Sequence, residues 1–142
     1  HREALVAALP EGHELLDVER LSVTHFDDQP VIMYSPVDAR YFHELLISTF
    51  TVAGVTPRYV QYVTQVHTML MLVSSGLGCA LVPASARTMH TEGVVFREIR
   101  SSTEEPVRLN AAWRHDAANP ALHRVLTDVK ALLLLADRTG HR

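Results

Sequence analysis

The chain has 142 residues, of which 47% are hydrophobic and 20% charged, and its 13 basic and 16 acidic residues give a net charge of −3 at neutral pH. This composition is typical of one globular domain or two small lobes, and the recurrence of apolar residues excludes disorder over most of the length. The apolar stretches fall short of the roughly 20 residues that a membrane span needs, and the scattered arginines form no stripe for nucleic acid phosphates.

The first third of the chain contains two short apolar runs that end at turn signals. Ala4–Leu9 ends at a Pro-Glu-Gly turn, and Val31–Tyr34 lies between two prolines. Runs bounded in this way are typical of buried strands, so a strand is predicted for each of them.

The period of the apolar residues then changes from that of a strand to that of a helix. The spacing i, i+3, i+4, i+7, i+8, i+11 predicts one face of an amphipathic helix over residues 40–53. Asp38 can cap its start, and Gly54 lies where a left-handed residue would end it. The predicted face consists of Phe42, Leu45, Leu46, Thr49, Phe50 and Ala53.

The middle of the chain predicts a strand, a helix and a second strand. Tyr59–Val63 has a strand pattern, and Thr64 is a candidate cap for the helix that follows. Gly76 is the expected left-handed residue at the end of this helix, and Gly78–Val82 is predicted to be a small buried strand. The apolar face of the helix consists of Val66, Met69, Leu70 and Val73, with Met71 and Leu72 also expected in the core.

The last third predicts further alternation of strands and helices. Ser85–His90 is predicted to form one or two helical turns, and Val94–Ile99 a strand. Apolar residues alternate with other residues in Val107–Trp113, which predicts a half-buried strand with its tryptophan as a packing anchor. Asn119 can cap a final helix, Pro120–Ala136.

This order of elements favours an α/β domain with a largely parallel sheet. In such sheets, ligands bind beyond the carboxyl ends of the strands, where helices begin. Three turns have that position here, and their backbone N–H groups could bind an anion such as a carboxylate. Ordinary helix capping is the alternative for each residue alone. The candidate site residues are Ser35, Pro36, Thr64, Gln65, Val66, His67, Pro83 and Ser85.

Several other chemistries have no support in the sequence. Gly76-Leu-Gly78 is too short for a dinucleotide fingerprint, and no Gly-x-Ser-x-Gly nucleophile motif occurs. The histidines show none of the paired spacings of metal ligands. The single cysteine, Cys79, is expected to be inert within a strand, and a lone cysteine suits a reducing cytosol. The sequence therefore predicts no cofactor, no metal and no catalysis, and a cytoplasmic location.

The segment from His67 to Ser85 contains the run Leu-Val-Ser-Ser-Gly-Leu-Gly-Cys-Ala-Leu-Val-Pro. It resembles the LysR-type transcriptional regulators, which carry an "LVxxGLGxxLVP" pattern at this place. Further segments agree with that family in the same order along nearly the whole chain. They are Leu9–His13 with "LPxGHPL", Pro30–Pro36 with "PFIxxxP", Ala53–Pro57 with "AGFxP", Gly93–Arg97 with the next strand, and Ala112–Asp116 followed by Asn119-Pro120 with "xWRxDxxSPxL".

The resemblance implies an effector-binding domain with a fold like that of periplasmic solute-binding proteins of type 2. Residues 1–14 would form a strand of lobe one, residues 15–98 lobe two, and residues 99–142 the return strand and last helix of lobe one. The family's DNA-binding domain would lie outside this chain. Residue 1 is His and not Met, so we expect a piece of a longer protein.

The resemblance also implies the function of a sensor that binds a metabolite, an organic anion by our expectation, between two lobes. The sensor would control a DNA-binding homodimer or tetramer, and an exposed sheet edge would favour pairing with another copy. The alternative is a solute-binding protein of a transport system with the same fold, and a third possibility is an enzyme on the α/β scaffold. The sequence does not identify the effector.

Overall fold

The computed structural model describes residues 1–102, 106–110, 112–114 and 120–139, with side chains described only for residues 121–132 of the last helix. It divides into two compact units. One unit is Arg2–Arg108, and the other comprises His1 with Leu109–Arg142. No helix of the described ranges is long and apolar enough to cross a lipid bilayer.

Strands and helices alternate along most of the described residues, which also contain three short 3-10 helices at Glu14–Leu16, Val23–Phe26 and Ala84–Met89. The strands are β1 (Arg2–Glu3), β2 (Leu5–Pro10), β3 (Pro30–Tyr34), β4 (Arg58–Val63), β5 (Ala80–Pro83), β6 (Val94–Glu98) and β7 (Val107–Arg108). The α-helices are α1 (Arg40–Ala53), α2 (Val66–Ser74) and α3 (Pro120–Thr139).

The sheet of the larger unit is mixed, not largely parallel as the alternation predicts. β2 lies between β5 and β6 and pairs antiparallel with both. β3 and β4 pair in parallel. Cys79 joins these two groups of strands, because its N–H donates to the Pro30 carbonyl and its carbonyl accepts from Ile32, both at 2.9 Å. The parallel arrangement is thus confined to β3, β4 and the bridge at Cys79.

The core lies on both sides of this sheet and confirms the predicted apolar faces. Leu46 and Phe50 of α1 are buried, as are Met69, Leu70 and Val73 of α2. Met71 is wrongly predicted to be in the core, since its side chain is 52% exposed. It lies on the opposite side of α2 from the buried residues, where a helix of nine residues meets solvent.

The N-caps predicted for α1 and α2 are wrong, although the helices themselves are confirmed. α1 begins after Ala39, and the side chain of Asp38 accepts a hydrogen bond from the Ser35 hydroxyl at 3.2 Å. α2 has Gln65 and not Thr64 at its N-cap position, because Gln65 is the last extended residue, with φ −128° and ψ 139°. Neither N-cap residue makes a side-chain capping bond.

The predicted half-buried strand Val107–Trp113 is shorter in the structure. β7 covers only Val107–Arg108 and pairs antiparallel with β1. Leu109 is 71% exposed and Trp113 49% exposed, so the tryptophan is not a buried packing anchor. The final helix begins at Pro120, as predicted. The predicted cap Asn119 lies outside the described residues.

Cys79 is expected to resist alkylation in the folded protein. Its side chain is buried and donates to the Pro30 carbonyl at 3.3 Å. Burial raises the pKa of the Cys79 thiol to about 12, and the thiolate is the reactive form. The unfolded chain loses this proton near the ordinary thiol pKa, so the thiol's contribution to stability falls as pH rises from that value towards 12. Iodoacetamide should label the urea-unfolded chain at pH ~8 while sparing the native one. Equal labelling rates would contradict this assignment.

Candidate functional site

The carboxyl ends of three strands meet at one edge of the sheet in the larger unit. The N–H of Ser35 donates to the Val63 carbonyl at 2.7 Å, which joins the ends of β3 and β4. The parallel bridge between Val31 and Cys79 sets β5 in the same direction as β3. Ser35 is four residues after Val31, and Pro83 is four residues after Cys79, so these two residues lie at the same height in the sheet. The structure therefore brings the three predicted turns to one edge.

The start of α2 provides free hydrogen-bond donors at this edge. Gln65 precedes the helix in an extended conformation, and neither its side chain nor that of Thr64 caps the first turn. The leading N–H groups of a helix have no partner within it and carry partial positive charge. Gln65, Thr64 and His67 are exposed, and Val66 is half-buried. This helix start can therefore receive an anion.

The Ser35 side chain caps backbone N–H groups of its own turn, which is the alternative to ligand binding. Its hydroxyl oxygen accepts the N–H groups of Val37 and Asp38 at 3.3 and 3.2 Å. Pro36, beside it, is exposed. These bonds fix the turn after β3, so Ser35 shapes one wall of the site with its hydroxyl already engaged.

The third turn already holds a carboxylate of the protein. The N–H of Ser85 donates to Glu3 Oε2 at 2.8 Å, and Pro83 is buried beneath it. Glu3 comes to this place because Leu5, two residues later, pairs with Pro83 across β2 and β5. Sequence reasoning missed Glu3, and only the strand pairing could have found it. This turn therefore offers a negatively charged acceptor where an anion was expected.

Tyr34 is a second residue that sequence reasoning missed. Its side chain is 3% exposed, and its ring stacks on Phe42 with 4.9 Å between centroids. The hydroxyl is buried and has no hydrogen-bond partner among the described residues. Burial first, and then the negative charge of Glu3, raise the pKa of Tyr34 well above its usual value. An unpartnered buried hydroxyl costs about 1–3 kcal/mol, and in a native protein such a group needs an explanation.

Replacing Tyr34 by phenylalanine is expected to raise the free energy of unfolding by about 1 kcal/mol, because the change removes an unpaired polar atom and keeps the ring. Urea denaturation measures this value. Tyr62→Phe is the matched control, since Tyr62 is 46% exposed, and we expect it to change stability by less than about 0.5 kcal/mol. A clear loss of stability in Tyr34→Phe would show that the hydroxyl has a partner in the folded chain.

The chemistry available at this edge is that of binding. It combines the free N–H groups of α2, the Glu3 carboxylate and the Tyr34 hydroxyl. Within the part of the chain that the structure describes, no three His, Cys, Asp or Glu side chains come together as a metal site requires.

A family profile and individual relatives both match this sequence, and they point to the same family. The sequence profile of the LysR substrate binding domain matches residues 1–132. The HTH-type transcriptional regulator IlvR of Caulobacter vibrioides is 34% identical over 128 residues, which cover 87% of this chain and 40% of that protein. The regulator TtuA of Agrobacterium vitis is 30% identical over 128 residues, with coverages of 88% and 42%. The chain thus spans about two fifths of the length of these relatives.

Solved structures share the fold. The effector binding domain of BenM with its effector benzoate superposes with a TM-score of 0.67 at 21% identity, over 74% of this chain and 48% of that one. The effector binding domain of QuiR in complex with shikimate gives a TM-score of 0.63 at 23% identity, over 73% and 48% of the two chains.

Proposed function

Because the chain belongs to the LysR substrate binding domain family, we propose that it is the effector-sensing part of a LysR-type transcriptional regulator. It binds a small organic molecule and has no catalytic activity. Binding shifts the balance between two conformations through a difference in affinity for them. A DNA-binding domain elsewhere in a longer cytoplasmic protein, assembled as a homodimer or tetramer, reads this change.

The observation that carries the proposal is the uncapped start of α2 at the edge where β3, β4 and β5 end. Its N–H groups and partial positive charge suit a carboxylate. Gln65 adds a side-chain donor and acceptor, and His67 a ring nitrogen. In this arrangement Ser35 and Pro36 form one wall of the site, and Pro83 and Ser85 form the opposite wall.

Glu3 and Tyr34 refine the class of effector. A carboxylate at α2 leaves the rest of the molecule facing the Glu3 carboxylate, which favours a hydroxyl or amine that can donate a hydrogen bond. The Tyr34 hydroxyl can donate to the same group once that group reaches it. We therefore propose a hydroxylated or amino-substituted organic acid. The ligands of two structural neighbours, benzoate and shikimate, are both carboxylates, and shikimate also carries hydroxyls.

The placement of the carboxylate is tested by titration calorimetry of the chain with a panel of organic acids that includes benzoate and shikimate. For each acid that binds, Gln65→Ala and His67→Ala are expected to weaken binding by more than about 0.5 kcal/mol, the usual limit for an uninvolved surface residue. Gln61→Ala is the matched control, because Gln61 is an exposed glutamine of β4. Binding that neither site variant weakens would place the acid elsewhere.

The alternative of a transport solute-binding protein has less support. The relatives IlvR and TtuA are both named as HTH-type transcriptional regulators, and each matches almost nine tenths of this chain. A helix-turn-helix encoded upstream of residue 1 would favour the regulator, and an export signal there would favour transport.

A further inference from the structure

A cleft of about 850 Å³ lies along β6, which is on the opposite side of the sheet from β4. Successive residues from Val94 to Arg100 line it, and Glu19–Leu21 and Arg87 bound its sides. Successive residues of a strand point to opposite faces of a sheet. A cleft lined by all of them therefore follows the edge of β6, and the register agrees, because β6 pairs with β2 alone among the named strands.

Four arginines face this cleft, against two glutamates, Glu19 and Glu98. The guanidinium of Arg97 donates to the carbonyls of Leu16 and Val18, which holds it in place. Arg20 and Arg100 are exposed, and their side chains have no hydrogen-bond or ion-pair partner among the described residues. The cleft thus has an excess of positive charge in a chain whose net charge is −3.

Arg87 differs from the exposed Arg20 and Arg100 in having a buried side-chain nitrogen. Its Nε is buried and has no hydrogen-bond partner in the described part of the chain. Its nearest carboxylate is that of Glu98, with 3.7 Å between Nη1 and Oε1, and the Glu98 side chain is 88% exposed. That separation exceeds the length of a hydrogen bond. A guanidinium has five N–H donors in a planar fork suited to phosphate and carboxylate oxygens, so this one is underused.

We propose that this arginine cleft binds a small polyanion, a phosphorylated or polycarboxylate metabolite, at a site separate from that at the start of α2. The volume falls within the range of small-molecule sites. Arg87 would supply the central fork, and Arg20 and Arg100 would neutralise the remaining charge. Glu19 and Glu98 at the cleft disfavour the long phosphate chain of a nucleic acid, so the occupant is a free small ion.

The test is isothermal titration calorimetry of the chain with sodium tripolyphosphate and with citrate, at about 0.15 M ionic strength to limit non-specific attraction. Saturable binding of either probe is expected. Arg87→Gln and Arg20→Gln should each weaken it, with Arg87→Gln reducing the affinity at least about ten-fold through the loss of a charged fork. Arg40→Gln is the matched control, since Arg40 lies on α1 and pairs with Glu44.

Two results would overturn the proposal. One is the absence of saturable binding of both probes by the unchanged chain. The other is an equal loss of affinity in the Arg40 control, which would mean that only the overall charge matters. If Arg87→Gln fails to fold, the affinity of Arg20→Gln for the two probes still tests the proposal, because Arg20 is exposed and its replacement should leave the fold intact. Because Gln65→Ala leaves this cleft intact, it should not alter tripolyphosphate or citrate binding, which separates this site from that of the proposed effector.

Discussion

Replacing Phe50 by alanine is expected to lower the free energy of unfolding by about 3–5 kcal/mol. The Phe50 side chain is 1% exposed and lies between two other rings. Its centroid is 6.2 Å from that of Phe26 and 6.4 Å from that of Tyr59. Removal of the ring loses its transfer free energy and leaves a cavity where α1 meets the sheet. Domains of this size are stable by only about 5–15 kcal/mol, so the variant should be close to unfolding.

Urea denaturation followed by circular dichroism measures this loss. Val52→Ala is the matched control on the same helix, because Val52 is 66% exposed, and we expect it to change stability by less than about 0.5 kcal/mol. A loss in Phe50→Ala no larger than that of Val52→Ala would mean that α1 does not pack on the core through Phe50.

The exchange of Gly78 for alanine should destabilise the protein by about 3 kcal/mol, the upper range for overpacking. A Cβ at this position would lie 2.5 Å from the Pro30 carbonyl oxygen and 3.4 Å from Val60 Cγ2. The Pro30 oxygen belongs to the backbone and accepts the N–H of Cys79 at 2.9 Å, so it cannot move aside without loss of that bond. The change therefore disrupts the hydrogen bonding that joins β3 to the segment leading into β5.

Gly12→Ala separates this clash from the general effect of adding a methyl group to a glycine. Gly12 has a φ of +76° and open space around its Cα, so its variant has backbone strain without a clash. That strain costs about 1–2 kcal/mol. Thermal unfolding of both variants should therefore show the larger loss for Gly78→Ala. The reverse order would contradict the close approach at Pro30.

Local signals account for the parts of the fold that the sequence predicts correctly. The helix α1 has the predicted bounds, 40–53, because its apolar period and the left-handed Gly54, with a φ of 69°, are both local features. The directions of the strands are not local. Nothing in the short apolar run of β2 shows that it pairs antiparallel with β5 and β6, so a largely parallel sheet was the wrong prediction.

The same distinction holds for the candidate site. The turns at Ser35, Thr64 and Pro83 could be predicted because each follows an apolar run, and strand ends of one direction share an edge. Glu3 and Tyr34 could not be predicted. Glu3 reaches Ser85 only through strand pairing. In the sequence, Tyr34 is one more residue of a buried apolar strand, and only the structure shows that its hydroxyl has no partner among the described residues.

The position of β2 between β5 and β6 has a consequence for how the chain folds as it is synthesised. Val6 pairs with Val82 on one side and with Glu98 on the other, so the central strand leaves the ribosome long before either neighbour. β3 and β4 pair in parallel, and α1 connects them along the chain. All three elements have been synthesised once Val63 is added, so this part can form first. Pairings between distant residues fold slowly. Nascent chains that end before residue 98 should therefore remain sensitive to protease at β2, and this sensitivity should disappear once β6 has emerged.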